Sequence, residues 1–373
     1  MNIGIDIRTL SFRRGGISQY TYNLLKNMLR IDLANTYFLF NYNKSPYEWD
    51  NFRGNVKEII LRLPQRYGGR TYWEMVFPPF AAWKYDLDLW FSPDFSVPRF
   101  LKIPRVAAIH DLIFMNFYDP ESRYSKKLQA SVAYAMKHAA KIIVTSHYTL
   151  EDLRKLFPLD DAKVAVIPLA ADDRFHPIEK HLVSIVLKRY SINFPYILFV
   201  GEISNRKNLL RLLTAFHLLK EDGRISGRKL LMVGKRTSDT VQILHEVSKL
   251  GISDDVFFTG YIPDEDLPFI YNGADVFVFP SLYEGFGIPP LEAMQCQIPV
   301  VASNATSIPE VVGEDALLFD PHEPADIAEK IDAVINAKID INDLKAKAKR
   351  QVEKFSWAIT AKQTMQIFNT FYP

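Results

Sequence analysis

Cys296 is the single cysteine among 373 residues, so no disulfide can form within the chain and a reducing compartment suits it. No apolar run approaches the roughly 18–20 residues needed to cross a bilayer. The opening residues MNIGIDIRTL read as a strand, without the charged start and apolar core of a signal peptide. The eight histidines never pair at ligand spacing, and Asp86-Leu87-Asp88 lies at a strand start, where it reads as a solvated entry. No Gly-x-Gly-x-x-Gly, repeat or low-complexity tract is present. A net charge of +2 gives no polyelectrolyte surface, and no nucleic-acid partner is expected. Together these absences predict a soluble or peripherally attached protein, in the cytoplasm or on the inner face of the cell membrane, that works without metal or cofactor.

What is present is ordinary globular material: 48% hydrophobic and 24% charged residues leave no room for a disorder reading. The length exceeds one ordinary core and suits two domains of roughly 170–190 residues. Strand-like runs at 2–7, 36–42, 56–61, 87–92, 105–109, 141–145 and 163–167 alternate with helical spacing at 21–30 and 125–140. After an interruption between 172 and 193 with one short helical piece, strands resume at 196–201, 229–234, 256–259, 275–279, 299–302 and 316–319. Helices are expected at 209–222, 240–250, 265–272, 290–295 and 325–337, with an amphipathic helix at the end. The expected architecture is α/β: two Rossmann-like doubly wound domains, 1–172 and 173–355, facing a cleft, plus a terminal helix in 356–373. Charge is uneven, with 24 basic against 18 acidic residues over 1–175 and 21 against 25 afterwards. A mildly basic first half suggests an acidic partner on that side, although chance gives such a difference as readily.

The sharpest motif is EGFGIPPLEAM, Glu284 to Met294, directly behind the strand-like Val276-Phe277-Val278-Phe279. Gly285-Phe286-Gly287-Ile288 reads as a turn, and a helix starts near Pro289-Pro290. Glu284 and Glu292 then flank a helix N-terminus, where free N–H groups favour an anion and carboxylates accept hydroxyls. A ligand carrying both phosphate and sugar hydroxyls fits that combination. Two surface glutamates on a capped helix would leave the glycines and prolines unexplained. In GEISNRKNL, the strand ending at Gly201 leads to Arg206-Lys207 at a helix start. Adjacent cations there oppose the macrodipole unless an anion binds; Arg offers bidentate geometry and Lys a point charge.

Other signals are weaker. Gly15-Gly16, between the first strand and a helix starting near Ser18 or Gln19, lets backbone approach a ligand, or is a plain loop pair. His110-Asp111 follows a strand, where His110 can donate to a sugar hydroxyl or orient a leaving group; a satisfied buried histidine is the alternative. Residues 62–85 interleave basic and aromatic side chains. They fit contact with an anionic membrane or stacking on sugars, or else a core helix with a polar rim. Cys296, among apolar residues, reads as packing.

Taken together these residues resemble the retaining glycosyltransferases of family 4, which have the GT-B fold. The resemblance covers GGISQYTYNLL at 15–25, His110-Asp111, VTSHYTLEDL at 144–153, VIPLA at 166–170 and FVGEISNRKNLLRLLTAF at 199–216. It continues in TGYIPDEDL at 259–267, the long block from Pro280 to Gly313 and the SW at 356–357, which resembles the start of a helix crossing back onto the first domain. It implies that Arg206 and Lys207 meet the donor diphosphate and Glu292 the nucleotide ribose. Glu284, with the stretch from Gly285 to Pro289, would hold donor sugar and phosphate. His110 would stand near the reacting centre, Gly15-Gly16 near the diphosphate, and Tyr261 and Ile262 along the base. Two departures stand out: Ser18 where relatives often have glycine, and Gln297 where glycine is usual after the cysteine.

The resemblance further implies front-face retaining transfer, the leaving phosphate helping to deprotonate the acceptor, with Glu284 positioning rather than attacking. The donor expected is a nucleotide sugar, GDP-mannose first and dTDP- or UDP-sugars behind it. The acceptor expected is a glycan or lipid-linked glycan of bacterial polysaccharide or O-antigen assembly. A nucleotide-sugar 2-epimerase of the same fold and a non-catalytic sugar-binding two-domain protein are the rivals.

Overall fold

A computed structural model describes residues 1–11, 15–49, 52, 55–61, 73, 75–313 and 316–372. The chain divides into two units, Met1–Leu169 with Ser356–Pro373, and Ala170–Phe355. The first is built on seven parallel strands: β1 (Asn2–Asp6), β2 (Thr36–Asn41), β3 (Asn55–Ile60), β4 (Leu89–Ser92), β5 (Arg105–Ile109), β6 (Lys141–Val144) and β7 (Val164–Val166). Their order is β3-β2-β1-β4-β5-β6-β7, so the direction of winding reverses between β1 and β4. The central strands are continuous β-branched and aromatic runs because helices cover both faces. The outer strands β3 and β7 keep partly exposed residues, as edges do.

Helix Gly16–Ile31 follows β1 and starts two or three residues before the expected position, with Gly15 as its cap. Ser18 is buried and donates to the Thr9 carbonyl at 2.6 Å, so the residue that departs from the family pattern ties the helix to the preceding turn. The final helix Trp357–Asn369 belongs to this unit. Ser356 caps it, and Thr360 Oγ1 donates to the Pro168 carbonyl at 2.7 Å. Phe368 packs on Phe91 of β4 with ring centres 5.3 Å apart, a burial worth about 1.5–3 kcal/mol.

The second unit has six parallel strands: β8 (Tyr196–Val200), β9 (Lys229–Val233), β10 (Val256–Gly260), β11 (Val276–Phe279), β12 (Val300–Ser303) and β13 (Leu317–Phe319). Their order, β10-β9-β8-β11-β12-β13, again reverses, here between β8 and β11. Helix Leu209–Glu221 buries Leu209, Leu212, Leu213, Phe216 and Leu219, a stripe at helical spacing over the sheet core. Helices Phe77–Tyr85, Ile113–Phe117, His147–Leu156, Ile308–Val312 and Ile341–Val352 add to those expected. Among the described residues no helix is long and apolar enough to cross a membrane.

Candidate active site

In an open parallel sheet, ligands bind beyond the carboxyl ends of the strands at the point of reversal. In the second unit that point lies between β8 and β11, and the sequence motifs converge on it. Gly201 follows β8 and its N–H donates to Val233 at 2.9 Å. A Cβ on Gly234, after β9, would stand 1.8 Å from the Gly201 carbonyl oxygen. Only glycine lets the two strand ends come so close. One 3-10 turn, Asn205–Lys207, then presents both cations, and Asn208 at φ 58 starts the following helix. The Asn208 side chain donates to the Pro321 carbonyl at 2.7 Å, which fixes the turn from below.

The loop after β11 brings Glu284 to those cations. Its Oε1 lies 2.5 Å from Lys207 Nζ and 3.0 Å from Arg206 Nη1. Arg206 Nη1 also donates to the Tyr283 carbonyl at 2.9 Å, and Leu282 N–H to the Arg206 carbonyl at 3.0 Å. Burial pushes Glu284 up, but Lys207 and Arg206 outweigh it and hold the carboxyl below its ordinary range. Burial lowers the Lys207 ammonium, against the pull of Glu284. Two cations on one carboxylate leave an excess positive charge in a largely buried place, an arrangement that favours an anion.

Two residues that the sequence reading passed over hold this loop. Glu284 N–H donates to Thr306 Oγ1 at 3.0 Å, while Ser307 Oγ donates to the carbonyls of Glu284 and Phe286 at 2.9 and 3.0 Å. The signal was the Ser-Asn-Ala-Thr-Ser cluster just ahead of helix Ile308–Val312. The helix of the motif runs Ile288–Gln295, with Gly287 at φ 100 before it. Pro289 and Pro290 fill its second and third positions and carry no N–H. The expected row of free amides therefore shrinks to Ile288 and the turn preceding it.

Glu292 stands apart from the cation group, with no hydrogen bond or ion pair joining them among the described residues. It is buried, and Tyr271 OH donates to its Oε2 at 2.7 Å. Burial raises its pKa to about 7; Asp264 and Asp172 push the same way, while Tyr271 and Arg174 pull down. Arg174 is itself paired with Asp172 at 3.0 Å. This group includes the Asp-Asp-Arg segment that read only as an interruption. Tyr261, after β10, is exposed, with its hydroxyl 3.4 Å from Asp264, whereas the Ile262 side chain is buried.

In the first unit, Gly15 has φ 152 and an added Cβ would meet nothing at Gly15 or Gly16. His110 follows β5, partly exposed, with its Nε2 2.8 Å from the Pro93 carbonyl. A carbonyl only accepts, so that nitrogen carries the proton. Burial depresses the imidazole pKa, so Nδ1 is left as a lone-pair acceptor. The donor role expected for His110 toward a hydroxyl therefore becomes an acceptor role.

A cavity of 720 Å³ elsewhere in the second unit is lined by Met294, Ile298, Pro299, Val312, Leu344 and Arg350, among others. It adjoins the amino end of β12 and is lined by none of Arg206, Lys207, Glu284 and Glu292. Among the described residues no three His, Cys, Asp or Glu side chains gather as metal ligands.

The family model described as Glycosyltransferase Family 4 matches residues 14–175, and that for Glycosyl transferases group 1 matches 189–351. The O-antigen chain mannosyltransferase B of Escherichia coli is 30% identical over 333 residues, 87% of this chain and 85% of that protein. The chain belongs to the family 4 glycosyltransferases. The serotype-specific mannosyltransferase WbdA of Escherichia coli is 32% identical over 273 residues, 70% of this glycosyltransferase but only 33% of WbdA. Among solved structures, sucrose-phosphate synthase of Thermosynechococcus elongatus superposes with a TM-score of 0.78 at 21% identity, covering 100% of this chain and 99% of that one. The Anabaena protein HepE, solved with UDP, gives 0.75 at 18% identity with 99% of each chain covered. These likenesses identify the fold of both units as GT-B.

Proposed function

We propose that this glycosyltransferase moves a hexosyl group, mannose from GDP-mannose, to a glycan or lipid-linked glycan, with retention and without a metal. The observation that carries the donor side is the Arg206–Lys207–Glu284 group at the reversal point of the second sheet. Charge grows on the leaving phosphate as the glycosidic bond breaks, and two preplaced cations meet it without reorganising. Glu284, tied to both cations, is a poor nucleophile, which supports a positioning role toward the donor sugar. The acceptor hydroxyl then attacks on the face the phosphate leaves, and a phosphate oxygen takes its proton.

Glu292 is assigned to the ribose hydroxyls and Tyr261, with the backbone at Ile262, to the base. Gly201 keeps the strand end open, and the turn from Gly285 to Ile288 holds sugar and phosphate. His110 and Gly15-Gly16 keep the roles the resemblance implies. Mannose and the glycan acceptor rest on the mannosyltransferase relatives, and the nucleotide donor on neighbours solved with UDP.

Peripheral contact with an anionic membrane is part of the proposal. Its main stretch, 62–72 and 74, lies outside the described residues. The adjoining helix Phe77–Tyr85 and the residue before it expose Val76 at 49%, Phe80 at 50% and Trp83 at 79%, spaced as one helical stripe beside Lys84. Flotation with anionic liposomes at low salt should carry the protein upward; a protein left at the bottom removes this part. The donor assignment is tested by thermal shift with GDP-, UDP-, dTDP- and ADP-sugars. Stabilisation by GDP-mannose is expected, and a larger shift with another base overturns it.

A further inference from the structure

Two stretches that carry the family resemblance each hold an aromatic residue that no role above uses: Tyr20 in GGISQYTYNLL and Trp357 in the SW pair. The first unit brings both to His110. Tyr20 lies in the first turns of helix Gly16–Ile31, buried, and meets the imidazole edge-on, with ring centres 4.5 Å apart and planes at 73°. Trp357, also buried, opens the terminal helix with its ring centre 6.2 Å from that of Tyr20. The Ser356 cap and the bond from Thr360 to the Pro168 carbonyl fix that helix end. Rings from positions 20, 110 and 357 thus stand in a row inside one unit.

His110 gains two things from this row. Its carbonyl accepts from the Thr145 and Thr149 hydroxyls at 3.2 and 3.3 Å, which fixes the main chain. The ring is held at Nε2 by the Pro93 carbonyl, 2.8 Å away. A bond at one ring atom sets a distance but leaves the imidazole plane free to tilt about it. An aromatic ring packed edge-on removes that tilt, and so sets the direction of Nδ1. The same ring shields the imidazole from water. Burial is the main cause of the lowered imidazole pKa, while the Pro93 carbonyl, Asp111 and Asp94 pull it up. Burial pushes the Tyr20 phenol upward, so it stays uncharged. Opening the Tyr20 side to water would let Nδ1 take a proton at higher pH, and the acceptor would be lost there.

We propose that Tyr20 is a positioning residue for His110: its ring, backed by Trp357, sets the plane of the imidazole and keeps Nδ1 aimed as an acceptor. The use of that acceptor rests on the glycosyl-transfer reading above. Long-range proton–nitrogen NMR of the histidine side chains in the free protein reads tautomer and titration without substrate, with His110 identified by its loss in His110→Ala. Wild type and Tyr20→Phe, which keeps the ring, should share the Nε2–H tautomer and one midpoint. Tyr20→Leu should mix the tautomers and move the midpoint up by roughly half a pH unit or more. Release of GDP from GDP-mannose, with octyl α-mannoside as acceptor, should follow the same order. The kcat of Tyr20→Leu should fall about tenfold or more with donor KM within about twofold, and its acid limb should move to higher pH. Tyr20→Phe should stay near wild type, and Trp357→Leu should repeat the NMR change more weakly; melting curves verify the folds. An unmoved tautomer and midpoint in Tyr20→Leu overturn the proposal, as does a Tyr20→Phe that falls as far as Tyr20→Leu. Normal turnover in both Tyr20→Leu and His110→Ala removes His110 from the reaction and the positioning role with it, leaving the donor site at Arg206 and Lys207 standing. A wild type that consumes no nucleotide sugar sinks the transfer reading, and the positioning role falls with it.

Discussion

Replacing Glu292 with Gln should stabilise the protein, and more so as pH rises. Burial is the main reason its carboxyl stands at about 7 rather than 4.5 in the fold, with Asp264 and Asp172 adding to it. A carboxyl raised above its unfolded value stabilises the fold while protonated, and that contribution is lost as pH climbs toward the folded value. At about 1.36 kcal/mol per pH unit, the raised carboxyl lowers the stability of the fold, relative to a neutral side chain at that position, by about 1 kcal/mol at pH 5 and about 3 kcal/mol at pH 8. Glutamine keeps an oxygen for the Tyr271 hydroxyl and carries no charge. The melting temperature of Glu292→Gln relative to wild type should therefore grow by roughly 4–8 °C between pH 5 and pH 8 for a unit of this size. Scanning calorimetry at the two pH values measures it directly. The same carboxylate, once ionised, accepts ribose hydroxyls best, so the donor KM of wild type should fall from pH 6 to pH 8 while that of the variant stays flat. Parallel melting profiles for the two proteins would refute the burial argument, whatever the kinetics show.

Four other outcomes follow from the geometry. Arg206→Ala should lower kcat roughly a hundredfold or more while the fold survives, since Lys207 still neutralises Glu284; near-normal turnover counts against the phosphate role. Glu284→Gln leaves two buried cations facing each other and should cost roughly 3 kcal/mol, recovered by added pyrophosphate in a melting assay; no recovery would mean no anion site. Gly234→Ala drives a methyl into the Gly201 carbonyl and should cost more than about 2 kcal/mol with loss of donor affinity; an unaffected melt contradicts the close approach. Gln297 adopts φ 57, so Gln297→Gly should raise stability by about 1 kcal/mol in a denaturant titration; a decrease would show the glutamine side chain is needed.

Much of this fold could be read before the structure because parallel strands buried on both faces are continuous apolar runs. Val276-Phe277-Val278-Phe279 and Tyr196-Ile197-Leu198-Phe199-Val200 have almost no polar interruption, and each gave a strand within a residue of its observed ends. Helix Ile341–Val352 escaped because only Leu344, Ala348 and Gln351 are buried, and the last of these is polar. Gln351 sits in the core side of that helix because its amide donates to the Val311 carbonyl at 3.0 Å, a partner 40 residues away in sequence and invisible to periodicity. Helix Ile308–Val312 is too short to show a period at all. Gln297 illustrates the reverse case. Its oddity was visible only against relatives, and its φ of 57 supplies the physical reason that glycine is usual there.

The site divides along the same line. Arg206, Lys207 and Glu284 were legible because charges at strand ends and helix starts have no structural reason to be adjacent unless something neutralises them. Partners that act by closing hydrogen bonds were not, since Thr306, Ser307 and Tyr271 are common residue types whose meaning comes from what they face. Tyr271 is the clearest case. A buried phenol in helix Leu267–Asn272 looks like packing in any one-dimensional reading, yet its hydroxyl meets Glu292 at 2.7 Å. That bond lowers the carboxyl against burial, so Tyr271 helps set how much of Glu292 is ionised near pH 7. Tyr271→Phe should therefore push the Glu292 titration upward and move the fall in donor KM to higher pH, a change that loss of packing alone would not produce. A profile that keeps its midpoint while KM rises uniformly would reduce Tyr271 to a filler of space.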